Sequence, residues 1–184
     1  MLSAGDHKGI EAEIAQSEGR YLDAVRLLGD VPVWEPLLRG KRVGLLYLAA
    51  GDAARARETF LRTEHDGLGR MRQGLLTTDD LQRLAMVQSL LGKHAEALAT
   101  IASVQDQVPE KSDAINGPAV SFVRSIILVR AGRRAEGYAE ADRLLRVPFG
   151  APTTQFFGNF EAWELVPEAK DPHFDALINH PPRL

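Results

Sequence analysis

Gly51-Asp52-Ala53-Ala54-Arg55-Ala56 places a glycine directly after an apolar stretch of helical period and a small residue five positions further on. The arrangement returns at Gly19-Arg20-Tyr21-Leu22-Asp23-Ala24, Gly92-Lys93-His94-Ala95-Glu96-Ala97 and Gly132-Arg133-Arg134-Ala135-Glu136-Gly137. A glycine at a helix C-terminus takes the left-handed conformation that ends the helix without a Cβ penalty. A small residue in the following helix lets the two helices approach closely. Self-similarity of this kind marks a helical repeat array. One helix pair cannot bury its apolar stripe alone, so the pairs must stack.

Around these turns the periodicity predicts helices over Asp6–Glu18, Tyr21–Leu28, Trp34–Ala50, Ala53–Thr63, Thr78–Leu91, His94–Val104, Pro118–Ala131 and Arg134–Arg146. Thr78-Asp79-Asp80 reads as a cap followed by two acids that complement a helix dipole, and Pro118 suits a first helical turn. The turn glycines recur at intervals of 32 to 41 residues. The longer intervals imply extra loop or helix length around Asp66–Thr78, which is rich in Gly and Arg, and around Gln105–Pro118.

These residues resemble the tetratricopeptide repeat, a pair of antiparallel helices about 34 residues long. The second unit carries the resemblance best, with Val43, Gly44 and Tyr47 in its first helix, Gly51-Asp52 at the turn, and Ala56 and Phe60 in its second. The other units offer Ala12, Ala15, Gly19, Ala24 and Leu28; Leu84, Ala85, Gly92, Ala97 and Ile101; and Ser125, Leu128, Gly132, Gly137 and Ala141. The resemblance implies an all-α, right-handed α-solenoid of about four helix pairs over residues 1–146. Residues 147–184 then form an extended linker and a C-terminal cap packed on the last repeat. Trp163 followed by Asp171-Pro172-His173-Phe174-Asp175-Ala176-Leu177-Ile178 resembles the segment that closes such arrays behind bacterial protein kinases, adenylyl cyclases and winged-helix regulators, with a longer linker here that includes Pro167. The cluster Phe156, Phe157, Phe160 and Trp163 reads either as core for that cap or as an exposed partner surface.

Composition bounds the chemistry. The 184 residues suffice for one domain, and 45% of them are hydrophobic and 26% charged, with a net charge of −3. That charge is too small to imply nucleic acid or an anionic membrane as partner. Cysteine is absent, which excludes disulfides, thiolate chemistry and cysteine zinc sites. No apolar run approaches the ~20 residues that span a bilayer. Met1–Arg20 carries Asp6, Glu11, Glu13 and Glu18 and lacks the apolar core of a signal peptide. The expected location is the cytoplasm, or the periplasm for the distal domain of a membrane-tethered regulator. The histidines His7, His65, His94, His173 and His180 form no metal-binding pair on one helix. Glu64-His65-Asp66 reads as a solvated helix end, and His94 as a structural histidine. With no nucleophile motif and no phosphate loop, no catalytic residue and no cofactor are expected.

Function by this reading is non-catalytic. The resemblance implies a protein–protein interaction module, scaffold, adaptor or sensor, forming the C-terminal part of a larger bacterial signalling protein. The repeat register places Leu38, Lys41, Leu45 and Leu48, then Gln82 and Met86 with Asp79 and Ser89, then Phe122, Ile126 and Val129 with Ala119, on the concave face of the first helices. Gly9 and Glu13 stand where a carboxylate clamp would need Lys and Asn. The apolar groove needs cover from the chain's own tail, from a partner's segment, or from a second copy in a homo-oligomer. A small ligand held between groove and tail is a further alternative.

Overall fold

The computed structural model describes residues 4–29, 35–145, 167–173 and 176. Among them the chain is all-α, with eight helices and no strand. They are α1 (Ala4–Ser17), α2 (Tyr21–Gly29), α3 (Pro36–Ala49), α4 (Ala53–Arg72), α5 (Thr78–Leu90), α6 (His94–Gln107), α7 (Asn116–Arg130) and α8 (Arg134–Leu145). A 3-10 turn follows at Pro167–Lys170.

The four turn glycines do what their spacing predicts. Gly19, Gly51, Gly92 and Gly132 have φ of 74°, 79°, 81° and 81°, and Gly74, after α4, has 69°. Each closes a Schellman motif. At the second turn the Gly51 amide donates to the Leu48 carbonyl (3.0 Å) and the Asp52 amide to the Tyr47 carbonyl (2.8 Å), and the other four turns repeat that pair of bonds.

Most helix ends fall within three residues of the sequence reading, and two features differ in kind. α4 does not end near Thr63 but runs to Arg72, so Glu64-His65-Asp66 is mid-helix. Glu64 is buried and accepts from Lys93 Nζ at 2.5 Å. Gly67 tolerates the helix because it is a contact point: a Cβ there would lie 2.9 Å from Leu37 Cδ2 and 3.0 Å from Leu84 Cδ1. At α5 the cap is Thr77, one residue earlier than expected. Its hydroxyl accepts from the Asp80 amide (3.1 Å) while the Asp80 carboxylate accepts from the Thr77 amide (3.3 Å), a capping box.

Within each pair the helices pack extensively, α1 on α2, α3 on α4, α5 on α6 and α7 on α8. Successive pairs meet through α2·α3, α4·α5 and α6·α7, and first helices also touch directly, α3 on α5 and α5 on α7. Two core clusters result. One joins α1–α4 to Val87 of α5 through Ala12, Ala24, Leu45 and Phe60, and the other fills α5–α8 through Met86, Ile101, Phe122, Ile126 and Leu144. Small residues set the spacing inside pairs. A Cβ on Gly44 would sit 2.2 Å from Phe60 Cε1, and one on Gly40 would fall within the Thr63 side chain.

Candidate functional site

The nine groove positions divide by burial. Leu45, Met86, Phe122, Ile126 and Val129 are buried in the chain's own core, and Lys41 is buried as well. Leu38, Leu48 and Gln82 are half-buried. α7 explains the pattern: its buried residues include Val120, Phe122, Val123, Ile126, Ile127, Leu128 and Val129, which cover every face of the helix. Leu45 packs in the core cluster of the first two pairs, and Met86, Phe122, Ile126 and Val129 in that of the last two. These side chains fill space within the molecule and do not form an open apolar trough. Lys41, Phe122 and Arg130 are all engaged in interactions.

The tail reaches the array at one described point. Asp171 Oδ2 accepts from Tyr138 Oη at 2.6 Å and from Arg134 Nη2 at 2.8 Å, both on α8, while Oδ1 accepts from the His173 amide at 2.9 Å. The His173 ring stacks on Tyr138 with centroids 4.0 Å apart. Burial pushes the Asp171 carboxyl upward, but the hydrogen bonds from Tyr138, the His173 amide and Arg134 outweigh it and hold the group below the usual carboxylate range. Beside this clasp a cavity of about 600 Å³ opens between the α5–α6 turn, the end of α7 and the tail, lined by Ser89, His94, Arg130, Arg134 and Lys170. His94, the structural histidine of the sequence, is half-buried with Nδ1 3.4 Å from Ser89 Oγ. Phe156, Phe157, Phe160, Trp163, Phe174, Leu177 and Ile178 lie outside the described residues.

A second cleft, of about 460 Å³, runs between α3 and α4. Among its described lining residues the arginines Arg39, Arg55, Arg62 and Arg70 outnumber the acids Glu58 and Asp66. The sequence held a signal for it, because Arg55, Thr59, Arg62, Asp66 and Arg70 follow helical spacing along one face of α4. A third surface is apolar. Ile10 and Ile14, one turn apart on α1, are 46% and 48% exposed, and Leu22 of α2 is 51% exposed.

A polar network fastens the last two pairs. Gln105 Nε2 donates to Ser121 Oγ (3.1 Å), Ser121 donates to Glu110, and Arg143 Nη2 donates to Glu110 Oε1 (2.8 Å). Burial raises the Glu110 carboxyl, and the bonds from Arg143 and Ser121 more than reverse it. These groups are structural links, already satisfied by one another. Among the described residues no three His, Cys, Asp or Glu side chains are grouped to hold a metal, and no helix is long and apolar enough to cross a membrane.

The architecture up to this point defines a class: an all-α protein of sequential helix pairs joined by a common glycine turn. Comparison with protein-family models, with curated proteins and with solved structures finds no match to this chain.

Proposed function

We propose that the chain is a non-catalytic protein–protein interaction module, a right-handed tetratricopeptide-like array serving a larger bacterial signalling protein. One observation carries the reading: the first helix pair presents large apolar side chains outward. Here Ile10, Ile14 and Leu22 are each about half exposed, although Ala12, Ala15, Ala24 and Leu28 already bury the inner side of the pair. An apolar face of this kind is cover for something else, and a helix or helix pair of a partner fits it by the same ridge-and-groove packing that joins the pairs within the chain.

The test is affinity capture with the intact chain and with the double variant Ile10→Asp/Ile14→Asp, alongside light scattering of each. A defined partner retained by the wild type and lost by the variant supports the reading. A concentration-dependent dimer abolished by the same variant moves the function to homo-oligomerisation. A monomer whose captured proteins are indifferent to the substitution overturns it.

A further inference from the structure

The cleft between α3 and α4 is bounded on two sides by described elements. α2 has nine residues, packs on α3, and makes no extensive contact with α4. Below the opening α3 and α4 touch at Gly40 and Thr63, which closes the floor. Leu37, Val43 and Tyr47 supply apolar lining from α3.

The charges around the cleft are unevenly matched. Arg62 is bonded to Glu58 at 2.9 Å, and Arg55 pairs with Asp52 at 2.6 Å and lies over the Tyr47 ring at 5.3 Å. Among the described residues the Arg39 guanidinium donates to the Gly29 carbonyl, at 3.2 Å, and forms no ion pair. The Nε–H of Arg70 is shut off from solvent and meets no acceptor. That atom is out of a partner's reach, whereas Arg70 as a whole is only half-buried and lines the cleft. Asp66, one turn back on α4, lines the same cleft without forming an ion pair with Arg70. A guanidinium fork is matched in shape and charge by a carboxylate. Nucleic acid is the less suitable occupant: it wants stacking rings, and among the described lining residues the one ring, Tyr47, is already covered by Arg55.

We propose that the α3–α4 cleft binds an extended acidic segment of a protein partner, its carboxylates on Arg39 and Arg70 and its apolar side chains against Val43 and Tyr47. The proposal rests on the interaction-module reading and adds to it a site and a partner chemistry. Because the whole chain carries a net charge of −3, the attraction is local and strongly screened by salt.

The probe is a fluorescein-labelled peptide of about twelve Glu, Leu and Ser residues, followed by anisotropy, with a Lys-for-Glu peptide and an oligothymidylate of equal length as comparators. The acidic peptide should bind, and more weakly as salt rises. Arg39→Gln and Arg70→Gln should each weaken it by about tenfold or more. Arg57→Gln, exposed on α4 outside the cleft, should leave it unchanged, with all three variants melting like the wild type. No binding of the acidic peptide at millimolar concentration, equal binding of the Lys peptide or oligothymidylate, or equal loss in Arg57→Gln overturns the proposal. Partner capture that depends on Ile10 and Ile14 but not on Arg39 or Arg70 removes the cleft and leaves the broader reading standing; absence of any specific partner removes both.

Discussion

Replacing Gly137 by alanine should weaken the protein, although the same change in a helix normally strengthens it. A Cβ at Gly137 would stand 2.6 Å from the Ser125 carbonyl oxygen, 2.6 Å from Val129 Cγ2 and 3.0 Å from the Val129 amide nitrogen. Two of these are backbone atoms of α7, which cannot turn aside as a side-chain end can. Ordinary contact lies near 3.5 Å, so α7 and α8 must part by about 1 Å and loosen the packing between them. Overpacking costs about 1–3 kcal/mol, and rigid neighbours put this site in the upper part of that range. Against it stands the helix-propensity gain of Gly to Ala, about 1 kcal/mol, leaving a net loss of about 1–2 kcal/mol. Gly69 is the matched contrast: it lies in α4 and a Cβ there would meet nothing within 4 Å, so Gly69→Ala should gain up to about 1 kcal/mol. With a urea m-value of about 2 kcal/mol/M, far-UV circular dichroism should show the midpoint fall by about 0.5–1 M in Gly137→Ala and rise by up to about 0.5 M in Gly69→Ala. A Gly137→Ala protein at least as stable as the wild type would show that α7 and α8 are not in the contact described.

Other perturbations test separate parts. The Asp171 carboxyl is held below its ordinary 3.8, so its contribution is in full above that pH and is lost as pH falls through the lower folded value. The protection of backbone amides over residues 167–173, relative to an unstructured peptide at the same pH, should therefore fall in that acid range, and Asp171→Asn should show the lower protection already at neutral pH. Thr77→Ala removes the hydroxyl half of the capping box and should cost about 1 kcal/mol, read as a lower melting temperature. Lys93→Met leaves the buried Glu64 carboxylate without its partner and should cost about 1–3 kcal/mol. Adding Glu64→Gln should restore part of that loss, and a double variant no more stable than Lys93→Met would show that the ion pair is not the cause.

Local physics made the fold legible from the sequence, while the surfaces depend on how separate elements meet. The four repeat-turn glycines follow from a constraint each residue carries by itself, which is why the turns, and most of the helices beside them, could be placed from Gly19, Gly51, Gly92 and Gly132. α4 was harder. Gly67 and Gly69 look like helix breakers in isolation, and only the approach of Leu37 and Leu84 to Gly67 gives that glycine a packing reason to be in a helix. The groove was legible as a set of register positions but not as a surface. Register says which side of a helix Leu45, Met86 or Ile126 occupies, whereas their burial depends on how closely α3, α5 and α7 approach. The α3–α4 cleft had a pattern in Arg55, Arg62 and Arg70, but Arg39 and the apolar lining come from a different helix, so the cleft depends on how α3 and α4 meet.

Site-specific photocrosslinking asks most directly whether this chain is an interaction module. A photoreactive phenylalanine analogue is introduced at Ile14 in one protein and at Glu96, an exposed polar position on α6, in another, and both are irradiated in extract of the source cells. An interaction module working through its first pair should give one defined higher-mass adduct from position 14 and none from position 96. No adduct from position 14, or the same diffuse set from both, would contradict it.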